Sequence, residues 1–201
     1  MTEGSLYIIS GPSGAGKSSV LDEVFSRLPN AYFSVSVTTR EKRPGEIDGD
    51  HYHFISGDEF QRMIDENQLL EYAQFVGNMY GTPRDPIIEM TQTGKNVFMD
   101  IELQGVKQVK EKMPDAVSVF IIPPTFEELK ERLMARGTDS HDIIKGRVET
   151  AIKDCAEAHI FDYIVINADI KEAADEIMAI IAANKCRASK RINYIENGDF
   201  R

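Results

Sequence analysis

The eight residues Gly11-Pro12-Ser13-Gly14-Ala15-Gly16-Lys17-Ser18 constrain this chain more than any other feature. They satisfy G-x-x-x-x-G-K-[ST]. They also follow an apolar, β-branched run at Ser5 to Ser10 and open a helical pattern from about Lys17 to Leu28 that closes at Pro29-Asn30. That strand, loop and helix setting is the one a phosphate-binding loop requires. Glycines let the backbone wrap closely around phosphates, and the helix N-terminus presents positive potential to them. Lys17 is placed to reach the β and γ phosphates, and the Ser18 hydroxyl to ligate magnesium. Such a loop points to a nucleoside triphosphate without saying what becomes of it, because switches, motors and small-molecule kinases share it.

Around the loop, short β-branched runs alternate with longer helical patterns, which predicts βαβ units, a parallel sheet and a three-layer α/β core. Further strands are expected at Tyr32 to Thr38, Asn96 to Ile101, Val117 to Ile122 and Tyr163 to Asn167. Helices are expected near Leu103 to Lys112, Thr125 to Arg136, Ser140 to His159 and Ile170 to Lys185. Two segments break the alternation. Arg40 to Gly81 holds a polar loop, strand-like pieces around Tyr52 to Ile55 and Leu70 to Val76, and a helix opened by the capping box Ser56-Gly57-Asp58-Glu59, so it reads as an inserted α+β subdomain. Phe126 to Glu157 is mostly helical and follows Pro123-Pro124 with a second box, Thr125-Phe126-Glu127-Glu128, so it reads as a hinged lid.

The 201 residues suffice for one domain with small insertions. Their net charge of -10 opposes unspecific binding to a polynucleotide, whereas a small anion needs only a local basic pocket. The longest apolar runs, Ala116 to Ile122 and Ile177 to Ala183, fall far short of the roughly 20 residues that cross a membrane. The start, Met1-Thr2-Glu3-Gly4-Ser5, carries no secretory pattern, so a cytoplasmic protein is expected. Cys155 and Cys186 read as helix residues, and no cysteine or histidine spacing suggests zinc. The basic group Lys185, Arg187, Lys190 and Arg191 reads as a solvated helix terminus.

The inserted segment contains Ser34-Val35-Ser36-Val37-Thr38-Thr39-Arg40, Arg43-Pro44-Gly45-Glu46, Asp50-His51-Tyr52-His53-Phe54, Glu71-Tyr72-Ala73 and Tyr80-Gly81-Thr82-Pro83. Asp100-Ile101-Glu102-Leu103-Gln104-Gly105, Arg136-Gly137-Thr138 and Asn167 follow. Together with the phosphate-binding loop, and in this order over nearly the whole chain, these motifs closely resemble the guanylate kinase family. The resemblance implies a P-loop NTPase core over 1–35, 83–125 and 158–201, an NMP-binding subdomain over 36–82 and a lid over 126–157. It implies magnesium-dependent transfer of the γ-phosphoryl group of ATP to GMP or dGMP, giving ADP and GDP or dGDP, with neither a polynucleotide nor a membrane as partner.

Residue by residue, the resemblance makes Lys17, Arg136, Arg147 and Asp100 catalytic, with Arg132 also in the lid, and assigns ATP to Gly11, Pro12, Ser13, Gly14, Ala15, Gly16, Lys17, Ser18 and Asn167. Arg40, Arg43, Tyr52 and Tyr80 match the positions that hold the GMP phosphate, a set of forks and hydroxyls suited to a dianion. Glu71, Thr82 and Ser36 match those that read guanine, whose N1-H and N2-H face a carboxylate and whose O6 faces a hydroxyl. Asp100 ends an apolar strand, where a P-loop protein places an acid for a metal-bound water or the acceptor phosphate. The resemblance also assigns Asp100 and Glu102 to GMP, although Glu102 stands where family members commonly have aspartate, Gly146 where they carry a longer side chain and Ala168 where an acid is frequent. Two other readings share the loop. A peptide-binding scaffold module does not need the intact Lys17 and Ser18, and a kinase of another acceptor does not need Glu71 and Thr82.

Overall fold

All six residues of β1 (Ser5–Ser10) are buried, as in a parallel strand covered on both faces. The structure, a computed structural model, describes residues 4–75, 77–135, 141–196 and 198. After β1 come α1 (Lys17–Arg27), β2 (Ala31–Phe33), β3 (Val37–Thr38), β4 (His53–Phe54), α2 (Gly57–Asp65), β5 (Leu69–Phe75), β6 (Asn78–Pro83), α3 (Arg84–Gln92), β7 (Asn96–Asp100) and α4 (Leu103–Lys112). The order continues with β8 (Val117–Ile122), α5 (Phe126–Ala135), α6 (His141–Ala156), a 3-10 turn (Ala158–Ile160), β9 (Tyr163–Ile166), α7 (Ile170–Lys185) and α8 (Ala188–Glu196). Contacts divide the chain into two units, one built on Gly11–Pro29 and Val119–Arg201, the other on Gly4–Ser10 and Asn30–Ser118.

In the second unit, β7 lies between β1 and β2 and pairs with both in parallel, and the Tyr7 and Phe98 rings stack 5.1 Å apart across one pairing. A separate four-stranded sheet has the order β4-β3-β6-β5, antiparallel except for the β3 and β4 pair. Its core is Val37, Phe60 and Leu69, with Ile55, Met63, Ile64 and Met79 packed around them. Phe60 belongs to α2, and burying such a ring contributes about 1.5–3 kcal/mol. The N-cap half of the expected capping box is formed, since Ser56 Oγ accepts from the Glu59 N–H at 3.1 Å, worth about 1 kcal/mol.

The single strand expected over Tyr32 to Thr38 is in fact two. β2 pairs with β7, the Ser34 N–H donates to the Phe98 carbonyl at 2.8 Å, and three residues later β3 joins the other sheet. A run of β-branched residues specifies extended backbone, but its partner strand is a tertiary choice. The sequence pattern predicts neither β6 nor α3, where Gly81, Pro83 and Pro86 interrupt any regular periodicity. Pro86 sits in the first turn of α3, where the missing N–H leaves no helical bond unmade.

In the first unit, α1 packs on α7, placing Val20, Leu21 and Val24 with buried Ala173, Ala174, Ile177, Ile180 and Ile181. Arg27 pairs with Asp175 and Glu23 at this contact. β8, from Val119 on, runs parallel to β9. The helices α5 and α6 share a core of Leu129, Leu133, Ile144 and Ala151. Thr125 caps α5 through the Glu128 N–H at 3.1 Å, as its sequence pattern predicts. Cys155 lies in α6, while Cys186 is the C-cap residue of α7 rather than part of it.

Candidate active site

The chain turns through Gly11–Gly16 before α1, and Gly11, Gly14 and Gly16 have φ of 146°, 92° and 86°. At Gly16 a Cβ would collide with Asn167 Nδ2, and at Gly11 with the Ile121 carbonyl, so both positions exclude a side chain by space as well as by angle. The Ala15 carbonyl accepts from Asn167 Nδ2 at 2.8 Å and from Arg132 Nη1 at 3.3 Å. The other terminal nitrogen of Arg132 donates to the Asn167 carbonyl at 2.8 Å and pairs with Glu128. Lys17 Nζ arches back to the Gly11 carbonyl at 2.7 Å, and Arg147 of α6 donates to Ser13 Oγ at 3.3 Å. α1 has neither a side-chain cap nor an acidic residue in its first turn, which favours an anion at that end.

A cleft of about 710 Å³ opens beside this loop, lined by Gly14, Gly16, Arg132, Asn167 and Lys171 among others. Among the described residues no three His, Cys, Asp or Glu side chains converge on a metal position. The exposed Ser18 hydroxyl offers one hard oxygen, a donor that suits magnesium carried mainly by phosphates and water. Burial pushes the Asp154 carboxyl of α6 up, and the Lys17 ammonium acts against that shift.

The other unit carries two polar groupings. Arg40 grips Glu46 with both terminal nitrogens, at 3.0 and 2.7 Å, and donates to the Glu41 carbonyl at 2.8 Å. Its guanidinium lies 5.5 Å from the Tyr52 ring centre and 5.6 Å from that of Phe54, and the Tyr52 and Tyr80 rings meet edge to face at 5.9 Å. The Arg40 bonds, helped by the Arg43 N–H at 2.7 Å, hold the Glu46 carboxyl down at about 2. Burial pushes the Tyr52 hydroxyl up, and the neighbours acting on it are Tyr80, Arg40, Asp100 and Glu46. The second grouping is Glu71 on β5 and Thr82 on β6. Both are buried and face each other in the register, with Thr82 Oγ1 donating to Glu71 Oε1 at 2.6 Å. Burial raises the Glu71 carboxyl, and the Thr82 hydrogen bond and the Lys112 ammonium oppose the rise.

The structure thus brings Arg40, Tyr52, Tyr80 and Asp100 into one neighbourhood and Glu71 with Thr82 into another. Half-buried Ser36 accepts at its carbonyl from the His53 N–H at 2.9 Å. The Arg43 side chain is exposed, and Glu102 is the exposed N-cap residue of α4, without a side-chain capping bond. Arg136 lies outside the described residues. Two residues at the site escaped the sequence reading. Glu46 stood in the quoted Arg43 segment, and its spacing three residues after Arg43 was the available signal. Gly105 closes the Asp100 motif of the sequence, but only the fold shows that its Cβ would stand 2.5 Å from Glu71 Oε2.

The guanylate kinase family model matches residues 3–184. A guanylate kinase of Desulfitobacterium hafniense (strain Y51) is 45% identical over 195 residues, covering 97% of this chain and 97% of the relative. One from Thermobifida fusca (strain YX) is 48% identical over 178 residues, covering 89% and 91%. The crystal structure of guanylate kinase from Anaplasma phagocytophilum superposes with a TM-score of 0.78 at 31% identity, over 94% of this chain and 90% of that one. The fold is accordingly α/β, a parallel sheet with helices on both sides, consistent with a P-loop NTPase.

Proposed function

The chain belongs to the guanylate kinase family, and from that premise we propose how its residues act as an ATP:GMP phosphotransferase. An oxygen of the GMP phosphate attacks the γ-phosphorus of ATP, the bond from that phosphorus to the β,γ-bridging oxygen breaks, and ADP leaves. No covalent enzyme intermediate is required, so catalysis is positioning, charge neutralisation and water exclusion.

On the donor side, the loop amides and Lys17 take the phosphates, with Lys17 leaving the Gly11 carbonyl for the charge that develops there. The base enters the cleft at Arg132 and Asn167, and Arg147 approaches the phosphates from the lid over 126–157. Ser18 would hold Mg²⁺ together with the phosphates and water, the ion would supply charge neutralisation on the phosphates, and Asp100 would serve a metal-bound water or the acceptor phosphate. On the acceptor side, in the subdomain over 36–82, Arg40, Arg43, Tyr52 and Tyr80 take the phosphate of GMP or dGMP.

The observation that carries the acceptor assignment is the buried hydrogen bond from Thr82 to Glu71. Guanine N1-H and N2-H replace the Thr82 hydroxyl as donors to the Glu71 carboxylate, and the hydroxyl then turns its proton to O6. Ser36 lies towards the amino group. Adenine offers a lone pair at N1 and would strand a desolvated carboxylate. No helix among the described residues is long and apolar enough to cross a membrane, and the reading places the enzyme in the cytoplasm without a polynucleotide partner. A coupled assay of ADP formation with GMP, AMP, CMP, UMP and ribose phosphates tests the assignment. GMP is expected to dominate by orders of magnitude, and equal use of another acceptor overturns it.

A further inference from the structure

α4 packs along β5, the outer strand of the four-stranded sheet. The strand is irregular there. Leu69 faces Pro83 and Glu71 faces Thr82, which leaves Leu70 as an extra residue, a β-bulge. As a result Leu69, Leu70 and Glu71 are all buried in succession, where a regular strand alternates its faces. Without the extra residue the facing of Glu71 against Thr82 would be lost.

Three residues on one face of α4 meet this bulge, spaced by three and four positions as helix neighbours are. Lys112 Nζ donates to both bulge carbonyls, Leu69 at 3.1 Å and Leu70 at 2.8 Å. Gln108 accepts from the Tyr72 N–H at 3.2 Å and donates to the Tyr72 carbonyl at 2.8 Å, so its amide occupies the place of a neighbouring strand. Gly105 leaves room for the Glu71 carboxyl itself. The backbone is therefore held on both sides of Glu71 by side chains that do not bond to its carboxyl.

We propose that Gln108 and Lys112 are positioning residues for acceptor recognition, fixing the bulge so that the Glu71 carboxylate points at the N1-H and N2-H edge of the base. The proposal rests on the reading of Glu71 as the base-reading residue. Ordinary edge-strand capping needs no ammonium group beside a buried acid. The Lys112 charge, the charged group acting on Glu71, and the Thr82 hydroxyl both favour the carboxylate form that accepts from guanine.

The test compares Lys112→Met, Lys112→Arg, Gln108→Leu and Glu71→Gln with the unsubstituted enzyme, measuring KM for GMP and for ATP, GMP over AMP preference, and the pH dependence of kcat/KM for GMP. Lys112→Met and Gln108→Leu are each expected to raise KM for GMP about tenfold or more and to lower the GMP preference, with KM for ATP unchanged. In Lys112→Met the acid limb also moves to higher pH, because the cation that favours the carboxylate is gone. Lys112→Arg restores both. Isothermal titration of GMP into Gln108→Leu gives the answer if Lys112→Met does not fold. Wild-type KM and preference in folded Lys112→Met or Gln108→Leu, or equal losses for GMP and ATP, overturn the proposal while leaving the Glu71 reading intact. An unchanged preference in Glu71→Gln overturns both.

Discussion

The Thr82 hydroxyl donates to the Glu71 carboxylate at 2.6 Å inside the four-stranded sheet, where the two residues face each other across β5 and β6. Burial drives the Glu71 carboxyl toward its neutral form, and Thr82 and Lys112 pull it back. A ligand that brings two N–H donors to this acid relieves its desolvation, and one that brings a lone pair aggravates it.

Glu71→Gln and Thr82→Val are therefore expected to weaken discrimination rather than phosphoryl transfer as such. A site of this kind rejects the wrong base by roughly 10⁴-fold. Each substitution should reduce that ratio by about 10- to 100-fold, read as kcat/KM for GMP against AMP at saturating ATP. Unchanged ratios in both variants would mean that these residues do not read the base.

The same acid sets a pH dependence. Its folded-state carboxyl is raised, so its contribution to stability is complete below the ordinary carboxylate range and is lost as pH rises through the raised value. Glu71→Gln should leave Tm unchanged in acid and raise it above neutrality. GMP use runs oppositely, failing in acid as the carboxylate is protonated. Thermal melts across pH, with and without GMP, separate the two.

Lys17→Ala removes a cation where charge develops in the transition state, and its loss of turnover should reach about 10²- to 10³-fold or more. In this state Lys17 Nζ donates to the Gly11 carbonyl, and alanine keeps the helical preference that its place at the start of α1 needs. Circular dichroism should therefore be unaltered, and near-normal turnover in the folded variant would remove Lys17 from the mechanism.

Glu46 holds the Arg40 fork ready, so Glu46→Gln should raise KM for GMP about tenfold and leave KM for ATP alone. Its carboxyl is held at about 2, so this pairing is present above the ordinary carboxylate range and fades only as pH falls toward that value. The acid limb for GMP should thus be the same in Glu46→Gln as in the parent enzyme. A shifted limb would assign the acid dependence to Glu46 instead of Glu71.

What the sequence made legible was whatever is encoded over a few neighbouring residues. The phosphate-binding loop, the caps at Ser56 and Thr125, and helices such as α4 and α7 depend on local spacing, and their boundaries match closely. Placements that depend on distant partners were not legible. The division between β2 and β3 depends on Phe98 and Tyr80, far along the chain. The bulge before Glu71 is visible only against β6, a strand that its glycine and its proline conceal. Glu46 was in plain view, but its role required knowing that Arg40 folds back onto it.

The four-stranded sheet is entered through three residues after β2 and left at Pro83 directly into α3 at Arg84. Two such short tethers suit the segment to exchange by engineering, since an insert is joined to the chain at only two junctions and leaves the phosphate-binding loop untouched. A graft of residues 36–82 into a foreign core would nevertheless transfer Glu71 without Gln108 and Lys112, which belong to α4. With Glu71 reading the base as proposed, such a chimera would inherit the carboxylate but not its aim, and compatible α4 residues would have to travel with the insert.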